Sequence, residues 1–222
     1  MEKEISTSKS GKPSLLGMFW SPGEQLGKIR ENPRIWGALG IITILYIIAS
    51  VTIASTITAQ DIVVPGSISL EDAELILGFT KMVTAIAGVI APILGVLISA
   101  VIHLIIVKIA KKDVTFKQLF SMNTYILVIG AAGLLLNTLL QTILGGNPNV
   151  YLTSLAGLFN SDSIVLSTFE VFSIWQLILT AIGLHKVGQL SKIASWVIAI
   201  VFFVIALSFA LLGVALEGIA GV

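Results

Sequence analysis

Long runs without a charged side chain constrain this chain more than any other feature of its sequence. No charged residue occurs in 118–161, which as one helix would extend about 66 Å and is too long for a single crossing of a bilayer core of about 30 Å. Only 11% of the 222 residues are charged and 56% are hydrophobic, whereas a soluble domain carries about 25% charged residues. The sequence therefore predicts an all-α integral membrane protein.

Five segments are apolar and long enough to be transmembrane helices. The predicted spans are 35–57, 82–107, 119–144, 164–184 and 194–216, within a membrane domain covering 35–222. The run Gly145-Gly146-Asn147-Pro148 separates the third span from the fourth. Ser69 and Asp72 predict the start of an acidic outer helix that continues into the second span. Ahead of the spans, we expect a disordered tail at 1–17 and a juxtamembrane helix within 18–34.

The basic residues predict the orientation of the spans. All of the 13 basic residues except Lys81 precede the first span or lie between spans two and three or four and five. Because cytoplasmic loops carry the excess of lysine and arginine, the N-terminus is predicted inside and the C-terminus outside.

The juxtamembrane helix is predicted to be amphipathic. Ser21 and Glu24 have the spacing of a capping box, and Pro33 favours an end at Asn32. Aromatic, apolar and basic side chains suited to the membrane interface lie in this segment: Phe19, Trp20, Leu26, Lys28, Ile29 and Arg30. A membrane anchor is favoured, and docking of a cytoplasmic partner is compatible with it.

Two spans carry small or polar faces that favour contact with other helices. In the second span, small residues and a histidine recur every fourth position: Ala87, Ala91, Gly95, Ser99 and His103. In the third span, Gly133, Asn137 and Gln141 share a face. Helix packing is the favoured interpretation of both faces. The alternative is a proton-carrying role of His103 in the second span and a path for a solute in the third.

Glu170 is the acid predicted inside a span, and such residues are functional candidates. It lies about two turns from the outer end of the fourth span, where an acid can stay hydrated. Three roles remain open for it: a structural acid, a partner contact, or a site for ion or proton translocation. A structural acid there is expected to tolerate replacement by glutamine.

The sequence contains no recognisable catalytic centre. There is no cysteine, His103 and His185 lie on different segments, and no phosphate-binding or nucleophile motif occurs. We therefore expect no enzyme activity, no metal and no cofactor. The net charge of +1 argues against a nucleic-acid partner.

In the fourth span, the run Phe169-Glu170-Val171-Phe172-Ser173-Ile174-Trp175-Gln176-Leu177-Ile178-Leu179 resembles a motif of the bacterial Yip (Ypt-interacting-protein) family. The similarity covers roughly 18–215 and rests on the segments 169–179, Gly183-Leu184 with Lys186–Lys192, 115–120, Phe19-x-x-Pro22 and Glu31-Asn32-Pro33. The resemblance implies five spans, an inside N-terminus and no catalysis. It also makes Glu170, Phe172, Trp175 and Gln176 candidates for partner contact or helix packing.

The resemblance further implies a scaffold in the bacterial cell membrane. The chain is similar to a family member that accompanies a MacB-like ABC exporter with a permease and a membrane-fusion adaptor, linked to toxin resistance. Such a protein would bind the lipid bilayer and other integral membrane proteins. The competing hypothesis is a small ion-coupled transporter or channel that uses Glu170, Asn137 and Gln141.

The predicted orientation is testable by thiol labelling of intact cells. Cysteines introduced at Ser67 and Gly221 should react with an impermeant thiol reagent, whereas one at Ser10 should not, because the membrane shields it. Reaction at Ser10 in sealed cells would contradict the orientation.

Overall fold

The computed structural model describes residues 11–63, 66–145 and 150–220, with side chains in the last helix described to residue 215. Within these ranges the chain forms helices and no strand. The helices are α1 Gly17–Trp20, α2 Pro22–Glu31, α3 Trp36–Thr56, α4 Leu70–Ile109, α5 Phe116–Leu144, α6 Leu155–Leu158, α7 Ile164–Ser167, α8 Val171–Lys186 and α9 Lys192–Ala220. The all-α prediction is confirmed for the described residues.

Four helices are long and apolar enough to cross a membrane: α3, α4, α5 and α9. The remaining apolar helix, α8, has 16 residues. At 1.5 Å per residue it extends about 24 Å, which is less than the thickness of the bilayer core. The chain is thus a multi-pass membrane protein with four long helices and one short apolar helix.

The fourth predicted span, 164–184, is not one continuous helix. The four-residue helix α7 ends at Ser167, and α8 begins only at Val171. Glu170, expected inside the span, is instead the N-cap residue of α8. The helix is broken here because the Glu170 carboxylate accepts hydrogen bonds from backbone N–H groups and so starts a new helix.

Other helix boundaries follow signals that the sequence carries. Ser69 accepts a hydrogen bond from the Asp72 N–H at 3.2 Å and starts α4. Thr115 and Gln118 form a capping box that starts α5. Gly145, with φ at +73°, caps the end of α5, and the break predicted at 146–148 lies outside the described residues.

The helix before the first span packs against protein rather than lying free at a membrane surface. Leu26 and Ile29, predicted at the membrane interface, are fully buried, because α2 contacts α5 and α8. The expected capping box does not form: the Ser21 hydroxyl accepts from Gln25 Nε2 at 3.2 Å, and Glu24 pairs with Lys28 at 2.6 Å.

The residues just before α1 also contact the bundle. Tyr125 donates its hydroxyl proton to the Pro13 carbonyl at 3.3 Å, and the Ser14 N–H donates to Gln25 Oε1 at 2.9 Å. The disordered tail predicted for 1–17 therefore does not extend through 13–17, and residues 1–10 lie outside the described ranges.

The loops with the predicted cytoplasmic charges meet at one end of the bundle. Gln118 Nε2 donates to the Arg30 carbonyl at 2.8 Å, and the Ser121 hydroxyl donates to the Arg34 carbonyl at 2.7 Å. Gln189 Nε2 donates to the Asp113 carbonyl at 3.0 Å. This end is called the basic end below, and its cytoplasmic orientation stays a prediction.

From Ala87 to Gly95 the buried face of α4 is displaced by one position from the predicted stripe, whereas His103 is buried as the stripe predicts. Ala87, Ala91 and Gly95 are exposed. The buried positions of α4 are Ala73, Gly88, Pro92, Val96, Ala100, His103 and Val107. A Cβ at Gly88 would lie 2.8 Å from the Tyr46 carbonyl, so the close approach of α3 and α4 occurs there.

Glycines set the distance between α5 and α8. A Cβ at Gly133 would lie 2.6 Å from the Cβ of Phe172, and one at Gly130 would lie 2.8 Å from the Gln176 amide. In return, a Cβ at Gly183 would lie 2.7 Å from the Met122 sulfur. Small residues on both helices therefore receive large side chains of the other, which is how membrane helices pack closely.

This packing predicts opposite effects for two glycine substitutions. Gly133→Ala should lower the free energy of unfolding by about 1–3 kcal/mol, because the new methyl group meets the root of the Phe172 side chain. Gly40→Ala on α3 should be neutral or stabilise by up to about 1 kcal/mol, since nothing lies within 4 Å of its Cβ position. Unfolding in detergent followed by circular dichroism measures both, and equal effects would contradict the packing.

Candidate functional site

The end of the short helix α8 that lies opposite the basic end forms a buried polar site; it is called the outer end below, and its outside orientation stays a prediction. A helix begins with N–H groups that have no partner within the helix, and an apolar membrane region supplies no water to bind them. Because α8 is shorter than the bilayer core is thick, its first turn needs partners from the protein. The segment 150–170, called the outer segment below, and the outer part of α5 provide them.

Glu170 supplies the partners for this first turn. Its Oε1 accepts from the Phe172 N–H at 3.0 Å, and its Oε2 accepts from the Ser173 N–H at 2.7 Å. The Ser173 hydroxyl donates to Oε2 at 2.9 Å. Glu170 is only 4% exposed, and the positive end of the helix dipole favours its negative charge.

Thr153 connects this carboxylate to α5. Its hydroxyl donates to Glu170 Oε1 at 2.7 Å and accepts from Asn137 Nδ2, also at 2.7 Å. Its backbone N–H donates to Asn137 Oδ1 at 3.1 Å. Asn137 is fully buried and also donates to the Gly133 carbonyl at 2.9 Å. The chain Glu170–Thr153–Asn137 therefore joins α8, the outer segment and α5, and we call it the outer network.

Backbone contacts hold the outer segment beside Glu170. Ser154 and Glu170 form an isolated antiparallel bridge, and the Val171 N–H donates to the Thr153 carbonyl at 3.3 Å. The Ser154 hydroxyl accepts from the Gly157 N–H at 3.1 Å and so caps α6. These contacts fold the outer segment back onto the start of α8.

The remaining side chains of the outer segment fit the same arrangement. Gln141 Nε2 donates to the Val150 carbonyl at 2.9 Å, so it lies at the edge of the outer network. Burial raises the pKa of Tyr151, and the negative charge of Glu170 raises it further. The Tyr151 phenol therefore stays neutral at physiological pH.

The outer network is built to hold segments together. The four contacts of Glu170 all come from N–H or O–H donors, and within the described residues no group of three metal-ligating side chains occurs. Neither histidine bonds Glu170: His103 lies toward the basic end of α4, and His185 bonds the Leu190 carbonyl at 2.8 Å. The arrangement stabilises a helix terminus and anchors a loop.

The aromatic and amide candidates of α8 lie at internal contacts. Phe172 and Gln176 fill the space over the α5 glycines described above. Trp175 packs edge-on against Phe19 with ring centroids 5.7 Å apart and stacks on Phe172 at 6.4 Å. The α4 candidates Gly95, Ser99 and His103 instead line a cavity shared with α5, α8 and α9.

Sequence reasoning missed three residues that contact Glu170: Thr153, Ser154 and Ser173. Ser173 follows Glu170 by three positions, which is the N-cap to N3 spacing, and this signal was available. Thr153-Ser154 is a polar pair in an apolar loop, but its partner across 17 residues follows only from the tertiary structure.

The contacts of Glu170 change the expectation for its replacement. All of them are accepted by the carboxylate, so the amide nitrogen of a glutamine would face a donor. Glu170→Gln should therefore lower the free energy of unfolding by about 1–3 kcal/mol. Glu170→Asp should cost less, since aspartate retains the charge and is a preferred N-cap.

Two further variants complete this experiment, again by unfolding in detergent. Thr153→Val should lose about 1–2 kcal/mol because it cuts the link to Asn137. The exposed acid Glu74 on α4 is the control, and Glu74→Gln should change stability by less than about 0.5 kcal/mol. Wild-type stability of Glu170→Gln would show that the network is dispensable.

Comparisons with known proteins give a consistent assignment. The Yip1 domain model matches residues 16–214. Membrane protein YknW of Bacillus subtilis (strain 168) is 35% identical over 230 residues, an alignment that covers 100% of this chain and 98% of the relative. No solved structure gives a significant match. The family suggested by the α8 sequence is thereby confirmed, and the chain belongs to the Yip1-domain family of membrane proteins.

Proposed function

We propose that this protein is a non-catalytic scaffold of the bacterial cell membrane that binds and helps to assemble another membrane complex. The complex we favour is an ABC-type efflux system with a permease and a membrane-fusion adaptor, acting in toxin resistance. Full-length similarity to Bacillus subtilis YknW supports a bacterial membrane protein of this type.

The observation that carries this proposal is the use of the buried polar groups. The acid and the amide of the outer network, Glu170 and Asn137, form hydrogen bonds that hold helices and a loop in place. Large apolar side chains meanwhile cover the outside of α4 and α9. A rigid body with an extended apolar exterior is suited to contact with other membrane helices.

The basic end offers a docking surface in addition to the membrane helices. Trp20 is 71% exposed beside the buried core of α1 and α2, and it follows Phe19, which packs on α8. Exposed tryptophans are enriched both at membrane interfaces and at protein-binding hot spots. Rigid attachment of α1 and α2 to the bundle supports the second role alongside the first.

Purification in mild detergent tests the scaffold. The tagged protein should recover permease and adaptor in fixed stoichiometry, while an unrelated membrane protein with the same tag should not. Recovery of neither component from cells that produce them would refute the proposed complex.

A matched pair of exposed residues tests the docking surface. Trp20→Ala should lower recovery of the complex at least fivefold with unchanged stability of the isolated protein, as expected when a hot-spot aromatic is truncated. Leu75→Ala is the control, because Leu75 is 79% exposed near the opposite end of α4. Equal recovery of both variants would assign Trp20 to the lipid interface.

The ion-coupled transporter remains the competing prediction. It requires Glu170 to exchange a proton or ion, which would disrupt the cap of α8. Ion flux into liposomes that contain only this protein, lost in Glu170→Gln, would favour the transporter over the scaffold.

A further inference from the structure

A cavity of about 330 Å³ lies among α4, α5, α8 and α9. Its apolar lining comes mainly from Val96, Ile102, Ile126, Leu127, Leu177 and Phe202. Gly95 and Ile102 also belong to the exposed face of α4, so the cavity is reached from the lipid side. Its volume and its apolar character fall within the range of small-molecule sites.

His103 gives this cavity a specific hydrogen-bonding position. The side chain is only 4% exposed, and its Nδ1 atom is buried without a hydrogen-bond partner among the described side chains. The Asn123 side chain contributes a hydrogen-bonding interaction to the imidazole, although no hydrogen bond of good geometry reaches Nδ1, and the amide nitrogen of Asn123 donates to the Leu119 carbonyl at 2.8 Å. A buried nitrogen atom without a hydrogen-bond partner, such as His103 Nδ1, costs free energy unless a ligand in the cavity binds it.

His103 lies inside the bundle, where bulk water has little access to its imidazole. It lies six residues before the end of α4, and Asn123 lies seven residues after the start of α5. Both are therefore about 10 Å from the basic end of the bundle. The Phe202 ring packs against the imidazole at a centroid distance of 5.7 Å.

The chemistry of the lining selects the kind of ligand. No charged side chain is among the described residues that line the cavity, so a charged head group would lack a counter-ion. A hydroxyl group both donates and accepts, and it therefore satisfies Nδ1 in either tautomer of the imidazole. The apolar lining suits a hydrocarbon chain.

We propose that this cavity binds a neutral, hydroxyl-bearing amphipathic molecule that enters from the bilayer, with its hydroxyl on His103 and its chain along the apolar lining of α4 and α5. The cavity shares Ser173 with the contacts of Glu170, and binding there does not depend on the scaffold role. Binding there would couple the lipid environment to the contact between His103 on α4 and Phe202 on α9.

Photolabelling of the full chain in nanodiscs tests this site. The probe is 1-dodecanol with a diazirine in its chain, and labelled peptides are identified by mass spectrometry. The label should map to cavity positions of α4, α5 and α8, and excess 1-dodecanol should compete much better than dodecane. Label confined to outward-facing positions of α9, or equal competition by dodecane, would overturn the proposal and leave water as the occupant.

Three variants sharpen the test. Gly95→Leu should reduce labelling at least tenfold because nothing lies within 4 Å of its Cβ position and the side chain fills the cavity. Gly78→Leu is the control, since Gly78 is equally unobstructed on the same helix and lies outside the lining. His103→Phe keeps a ring against Phe202 and should raise the half-saturating 1-dodecanol concentration about fivefold.

The result for each variant either supports or contradicts ligand binding in the cavity. Equal labelling of Gly95→Leu and Gly78→Leu would refute the site. Unchanged 1-dodecanol affinity in His103→Phe would refute recognition by the imidazole. Binding changes in Gly95→Leu with wild-type recovery of the partner complex would show that the site is separate from the scaffold role.

Discussion

The first turn of α8 must find hydrogen-bond partners where the membrane supplies little water, and much of the molecule is arranged around that requirement. Glu170 binds two N–H groups of this turn and accepts from Ser173 and Thr153 as well. Each bond is stronger for being made to a carboxylate away from bulk solvent. The N–H groups at the outer end of a helix too short to span the core thereby have hydrogen-bond partners.

The same region shows how packing and hydrogen bonding reinforce each other. Gly133 receives the Phe172 side chain, and its carbonyl accepts from Asn137 one turn later on α5. A shift of α8 along α5 would break the glycine contact and the outer network together. The two helices therefore have one favourable register, which is consistent with the proposed scaffold.

At the basic end, packing also decides the position of α2. The sequence pattern of this helix fits either burial in protein or binding to a membrane surface. Leu26 and Ile29 lose all of their exposure against α5 and α8, and Phe19 packs on Trp175. An apolar stripe gains similar free energy from burial in protein or in lipid, so its amphipathicity does not distinguish the two. The contacts of Arg30 and Arg34 carbonyls with α5 fix the choice.

The sequence by itself determined the all-α membrane class, the four long apolar helices, the helix start at Ser69 and the family, because hydropathy and capping act over neighbouring residues. Only the tertiary structure decided the role of Glu170, which depends on Thr153 and Asn137 arriving from distant segments. It also decided which face of α4 is buried, since apolar residues surround that helix on all sides and one-position shifts leave its hydropathy unchanged. Contacts between helices, rather than affinity for lipid, make that choice.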